Sequence, residues 1–118
     1  MPHDYGKPCY EYIKKSFPNV SFTMTWGNSL ETLPVFNPLK LYDLVHVDGG
    51  HSVECIRSDL KEACRIVAPL GYIIVDDTNM PHINHEVNLL LKQNTFKEIM
   101  LLPTKVKTHR IVQKLETI

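Results

Sequence analysis

The spacing of apolar residues changes between residues 42 and 79, and the changes predict a strand, a helix and a second strand. Leu44, Val45 and Val47 form a short apolar run that suits a strand buried on both faces. Tyr72 to Val75 form a second run of this kind. Between them, apolar residues recur at helical spacing and give one helix face an apolar stripe, which consists of Val53, Ile56, Leu60, Ala63, Cys64 and Val67.

The ends of these three elements carry the polar residues. Asp48-Gly49-Gly50-His51 follows the first strand as a flexible turn, and Ser52 can cap the helix. Pro69 and Gly71 are expected to stop the helix, and the second strand ends in Asp76-Asp77-Thr78-Asn79. A strand–helix–strand unit of this kind predicts a right-handed parallel crossover. Both strands then present their acids at the carboxyl edge of the sheet, where ligands bind in open α/β folds.

The flanking segments predict smaller elements. Before the central unit, we expect a helix over 8–17, a strand over 20–25 from the alternation of Val20, Phe22 and Met24, and a short helix within 30–35. After it, we expect a helix over roughly 82–93 and a hairpin of strands 96–102 and 109–115.

Composition narrows the class of protein. The chain has 118 residues, enough for one small domain, and its formal net charge is zero. We therefore expect neither nucleic acid nor an anionic membrane as a partner. The sequence shows no signal peptide and no long apolar run, and its three cysteines lack metal-site spacing, so it predicts a cytoplasmic protein.

The central residues resemble a known family. DLVHVDGGHS, the helix with its internal aspartate, and PLGYIIVDDTN are similar to the fourth and fifth strands of class I S-adenosylmethionine-dependent methyltransferases. The most similar subgroup has an Asp-Gly-x-His turn after strand four. The resemblance runs from about Tyr5 onward and implies one partial Rossmann-like α/β domain, residues 1–118, mostly parallel with a C-terminal antiparallel hairpin.

The resemblance also implies that part of the fold is missing. The family sheet has the order 3-2-1-4-5-7-6, and the segments here match strands 3 to 7. Strands 1 and 2, the glycine-rich cofactor loop and the ribose-binding acid have no counterpart in this sequence. Strand 20–25 would then lack its neighbour, so we expect a fragment of a longer protein, direct pairing of 20–25 with 42–47, or a homodimer formed by strand exchange or edge pairing.

The site residues follow from the sheet edge and from the resemblance. Because Asp48, Asp76 and Asp77 end adjacent strands, their carboxylates could converge on Mg²⁺ or another hard cation. In similar metal-dependent O-methyltransferases, Asp48 and the pair Asp76-Asp77 match metal ligands, and His51 matches the catalytic lysine. Asp48 and His51 are therefore the predicted catalytic residues. The predicted cofactor-binding residues are Gly27, Asn28, Ser29 and Asp48.

Each of these residues also has a structural interpretation. Asp48 could bond amides of its own turn, His51 could belong to the helix cap, and Asp76 and Asp77 could be ordinary loop residues. The turn at 27–29 could likewise be a plain turn.

Two function classes follow. One is an S-adenosylmethionine-dependent methyltransferase for a small hydroxylated acceptor, active if an N-terminal cofactor-binding segment completes it. The other is a non-catalytic assembly module on the same fold. A metal-dependent hydrolase built on the three aspartates is a weaker third option, because the sequence has no nucleophile elbow.

Overall fold

The computed structural model describes residues 6–116 and contains four helices and four strands within that range. The chain divides into two compact units, Met1–Val35 and Phe36–Ile118. The elements in chain order are α1 (Gly6–Ser16), α2 (Ser29–Thr32), β1 (Tyr42–Val47), α3 (Val53–Ile66), β2 (Val67–Val75), α4 (Pro81–Lys92), β3 (Phe96–Pro103) and β4 (Thr108–Lys114).

The first unit consists of α1, α2 and the segment between them. The ring of Tyr10 in α1 lies 5.5 Å from that of Phe22 and 6.5 Å from that of Trp26, so aromatic packing holds the segment to its helix. The predicted strand over 20–25 is wrong: these residues, all within the described range, adopt no strand. Alternating side chains alone do not make a strand, because its backbone groups also need a hydrogen-bonded neighbour.

The second unit is built on a sheet with the strand order β1-β2-β4-β3. β1 and β2 run parallel, whereas β4 is antiparallel to both β2 and β3. This is the order 4-5-7-6 that the resemblance implies, and the α/β class, the parallel crossover and the C-terminal hairpin are confirmed. In the described residues, β1 is an edge strand of this sheet.

One face of the sheet carries the core. Val47, Val75 and Val112 are buried there, together with Ile56 of α3 and Val87 of α4. The other face stays open: Leu44 and Tyr72, which are register partners on neighbouring strands, are both exposed. The predicted two-sided burial of β1 is therefore wrong: Leu44 is exposed, whereas Val47 is buried on the face that packs against α3 and α4.

β2 begins five residues before the strand predicted from Tyr72. Its first residue, Val67, is also the C-cap of α3, and the Lys114 ammonium donates to the carbonyls of Cys64 and Val67 at 3.1 and 3.4 Å. Gly71 is needed in this stretch, because a Cβ there would lie 2.8 Å from the Ala68 carbonyl oxygen and 3.0 Å from that of Asp43. The helix thus ends at Ile66, before Pro69 and Gly71, and these two residues lie in the irregular first part of β2.

Between Gly6 and Glu116, the helices are all too short or too polar to cross a lipid bilayer.

Candidate functional site

The predicted acids meet at the carboxyl ends of β1 and β2. Val47 and Val75 are register partners at the ends of these strands, and the Asp76 N–H donates to the Val47 carbonyl at 3.1 Å. Asp48 and Asp76 therefore leave the sheet side by side, as the parallel crossover predicts.

A mixed donor cluster forms at this point. One donor atom from each of His46, Asp48 and Asp76 lies within 4.8 Å of the others. His46 belongs to β1 and Asp48 directly follows that strand, and side chains two positions apart in an extended chain lie on the same side. Two carboxylates and one imidazole are a set of groups that can ligate a divalent cation.

The Asp76 carboxylate bonds two imidazoles. Its Oδ1 lies 3.0 Å from His46 Nε2 and 2.6 Å from His109 Nδ1. Burial raises the pKa of Asp76, but the hydrogen bonds and charges of the two histidines outweigh burial and bring the pKa below its ordinary value. Asp76 is thus held as a carboxylate.

The Asp77 carboxylate faces a different set of groups. Its Oδ1 lies 3.1 Å from the Lys107 ammonium, and its Oδ2 lies 2.8 Å from His51 Nε2. Burial raises the pKa of Asp77, and the bonds from Lys107 and His51 more than reverse that effect, so the pKa is lowered. Asp76 and Asp77, which were both predicted to ligate a metal, therefore have different bonding partners.

The glycine turn between β1 and α3 brings His51 into the site. A Cβ on Gly49 would lie 2.7 Å from an Asp59 carboxylate oxygen, so glycine lets this turn approach α3 closely without displacing the Asp59 side chain. The N-cap of α3 is Ser52, whose Oγ accepts from the Cys55 N–H at 3.1 Å. His51 directly precedes this cap residue, and its ring bonds Asp77. His82 of α4 also bonds the His51 carbonyl.

The residues predicted to bind cofactor lie in the first unit, apart from Asp48. Gly27 has a φ of 131°, a backbone conformation that favours glycine. Asn28 caps α2, and its side-chain oxygen accepts the Leu30 N–H at 3.0 Å. Ser29 is the first residue of α2. The cofactor-binding role of these three residues stays a prediction.

Sequence reasoning missed three members of the site: His46, Lys107 and His109. The hairpin brings in the latter two, because β4 lies antiparallel beside β2 with Arg110 opposite Val75. This register places the residues just before Arg110 next to those just after Val75. The predicted hairpin and the family strand order together contained this signal.

The sequence of the chain identifies its family. A family model described as a methyltransferase domain matches residues 7–78, which is more than half of the chain. The chain belongs to this methyltransferase family. No curated protein sequence matches it.

Solved structures share the fold of this methyltransferase chain at low sequence identity. A protein described as an O-methyltransferase from Klebsiella pneumoniae superimposes with a TM-score of 0.70 at 13% identity, over 99% of this chain and 60% of its own. A methylase from Haemophilus influenzae gives 0.68 at 15% identity, over 97% and 69%. The N-methyltransferase NodS from Bradyrhizobium japonicum gives 0.64 at 16% identity, over 98% and 70%.

NodS has also been solved in complex with S-adenosyl-L-homocysteine. The chain matches 60% of the length of the Klebsiella protein, so it spans only part of that protein.

Proposed function

We propose that this chain is the acceptor-side part of an S-adenosylmethionine-dependent methyltransferase that acts on the hydroxyl group of a small molecule. The observation that carries the proposal is the convergence of His46, Asp48 and Asp76 at the carboxyl edge of two parallel strands, with His51 in the turn that follows the first of these strands. Open α/β sheets bind their ligands at this edge.

The chemistry requires an acceptor oxygen that loses its proton as it takes the methyl group. Bound S-adenosylmethionine supplies a methyl group on a sulfonium, and the carbon–sulfur bond breaks as the carbon–oxygen bond forms. His51 is the proposed base that takes the hydroxyl proton, since neutral imidazole accepts protons near pH 7. Asp48 lies at the end of β1 and is proposed to orient the acceptor from that strand.

A divalent cation, with Mg²⁺ as one candidate, is the second part of the proposal. His46, Asp48 and Asp76 are the proposed ligands, because their donor atoms already lie within 4.8 Å of one another. When bound there, a cation would lower the pKa of an acceptor hydroxyl. We do not include Asp77 in this set, because both of its carboxylate oxygens bond cationic or imidazole groups of the protein.

Most contacts to S-adenosylmethionine are proposed to come from an N-terminal segment that carries the family's first two strands. Gly27, Asn28 and Ser29 are the proposed contribution of this chain. The amide N–H groups of Asn28 suit an acceptor on the cofactor, because its side-chain oxygen already accepts the Leu30 N–H. A cytoplasmic location belongs to the same proposal, and the three free cysteines fit a reducing compartment.

Calorimetric titration with S-adenosylhomocysteine tests the proposal, with and without Mg²⁺. We expect clear binding by a chain extended with a family N-terminal segment and much weaker binding by residues 1–118 alone. Absence of binding by both chains would reject the enzymatic function.

A second candidate function is a non-catalytic assembly module, and the open edge of the sheet favours it. β1 is an edge strand in the described residues, and its Leu44 side chain is 57% exposed. Edge pairing of two copies would cover this strand. Light scattering on Leu44→Asp tests it, with Val106→Asp as a matched control at an exposed hairpin position. The candidate predicts a dimer that only the first substitution dissociates.

A further inference from the structure

We propose that Asp77 positions the imidazole of His51, so that the ring presents Nδ1 to the acceptor. The inference rests on the proposed function, in which His51 is the base. It assigns Asp77 a role other than the metal ligation that its place beside Asp76 suggests.

The contact geometry of Asp77 supports this role. The Asp77 Oδ2 to His51 Nε2 distance is 2.8 Å, within the range of a charge-assisted hydrogen bond. The other oxygen, Oδ1, bonds the Lys107 ammonium at 3.1 Å. Each oxygen of the carboxylate thus has its own partner, and the carboxylate plane is fixed from both sides.

Asp77 is buried and His51 is exposed, which is the difference that a positioning role for Asp77 requires. The Asp77 side chain is 6% exposed, whereas that of His51 is 52% exposed. The carboxylate is therefore held inside the protein while the imidazole stays accessible to a substrate. An acid that reached the solvent beside an exposed histidine would fix the ring much less well.

The backbone of Asp77 is held as firmly as its side chain. Its φ of 59° lies in the left-handed region, which costs energy for residues other than glycine and persists where the surroundings hold it. The Asp77 carbonyl accepts the Met80 N–H at 2.9 Å, and the next residue, Thr78, donates its N–H to the Thr108 carbonyl at 3.0 Å. The turn after β2 is thereby tied to the start of β4, the strand that follows Lys107.

The chemical consequence concerns the two ring nitrogens. Because a carboxylate only accepts hydrogen bonds, the neutral ring must carry its proton on Nε2 to bond Asp77. The lone pair then lies on Nδ1, which is the nitrogen that can take a proton from an acceptor hydroxyl. Asp77 keeps the ring in this tautomer and orientation without itself touching the substrate.

Nitrogen-15 NMR of the His51 ring tests the inference without requiring activity. In spectra of the wild-type chain recorded at a pH where the His51 ring is neutral, we expect a slowly exchanging Nε2–H and an unprotonated Nδ1. Asp77→Asn, which tolerates the left-handed backbone, replaces a charged acceptor by a neutral one, so the Nε2–H should exchange about tenfold faster. Asp77→Gly removes the acceptor and should abolish the slowly exchanging signal. Asp43→Asn is the matched control, an exposed aspartate near the start of β1 that should leave the ring signals unchanged.

The results that would refute the positioning role of Asp77 differ from those that would refute the proposed function. Equal exchange rates in wild type, Asp77→Asn and Asp77→Gly, with the core methyl signals of a folded protein, would overturn the positioning role. A wild-type ring protonated on Nδ1 would do the same. Failure of S-adenosylhomocysteine to bind the extended chain bears on the proposed function alone. In an extended chain that transfers methyl groups, Asp77→Asn should lower kcat while leaving the KM of the acceptor unchanged.

Discussion

Asp76 and Asp77 are adjacent in sequence, yet their carboxylates bond two separate sets of histidine and lysine side chains. Asp76 bonds His46 and His109 through one oxygen, whereas Asp77 bonds Lys107 and His51 through both. The left-handed φ of Asp77 separates the two side chains, because it turns the backbone between them. Asp76 therefore belongs to the mixed donor cluster, whereas Asp77 bonds His51, the proposed base.

The lowered pKa values of these two aspartates predict that the free energy of unfolding decreases as the pH falls into the acid range. A carboxyl whose pKa is lower in the folded chain stabilises it above the unfolded pKa of about 3.9, and this stabilisation disappears as the pH falls through the folded value. We expect Asp77→Asn to lower the free energy of unfolding by about 1–3 kcal/mol at pH 7 and by much less at pH 3. Urea titrations at both pH values measure this, with Asp43→Asn as control. An equal loss at both values would contradict the prediction.

The sequence predicted the elements of the central unit because the signals for them are local, whereas the order of the sheet came from the family resemblance. The apolar runs around Val45 and Ile73 and the cap at Ser52 depend on neighbours in the chain, and the structure confirms all three. The segment at 20–25 was mispredicted because a strand needs a partner that alternation cannot supply. Lys107 and His109 were missed because their roles arise only when β4 lies beside β2, whereas the contact of His46 with Asp76 depends on the pairing of β1 with β2.

Gly71 is predicted to be intolerant of substitution even though its φ is not in the left-handed region. A Cβ would lie 2.8 and 3.0 Å from two backbone carbonyl oxygens, neither of which can rotate away. We expect Gly71→Ala to lower the free energy of unfolding by about 1–3 kcal/mol, as overpacking does in other cores.

Gly50→Ala is the comparison for this effect. Its Cβ would meet Cys55 Sγ at 3.0 Å, and that atom ends a side chain that can rotate. Thermal and urea unfolding of both variants should show the larger loss at Gly71. Equal stability losses would indicate that the strand start near Ala68 relaxes.

The thiols should differ in reactivity. Burial raises the pKa of Cys64 to about 11, with the Lys114 charge opposing it only in part, whereas Cys9 is exposed on α1. Since the thiolate is the reactive form, iodoacetamide at pH 8 should modify Cys64 at least about tenfold more slowly than Cys9. Peptide mass spectrometry over a time course measures both rates. Comparable rates in the native protein, each accelerated equally by urea, would contradict the burial of Cys64.

The donor cluster should prefer a transition-metal cation to Mg²⁺, because these cations accept an imidazole nitrogen beside carboxylate oxygens, whereas Mg²⁺ prefers oxygen ligands alone. Calorimetry should show tighter binding of Mn²⁺ than of Mg²⁺, and His46→Asn should weaken Mn²⁺ binding more than it weakens Mg²⁺ binding. His85→Asn, at an exposed position on α4, is the matched control. Electron spin-echo spectroscopy of bound Mn²⁺ gives a direct readout, since a nitrogen ligand modulates the echo. Mn²⁺ binding without that modulation would place the cation on the carboxylates alone and exclude His46 as a ligand.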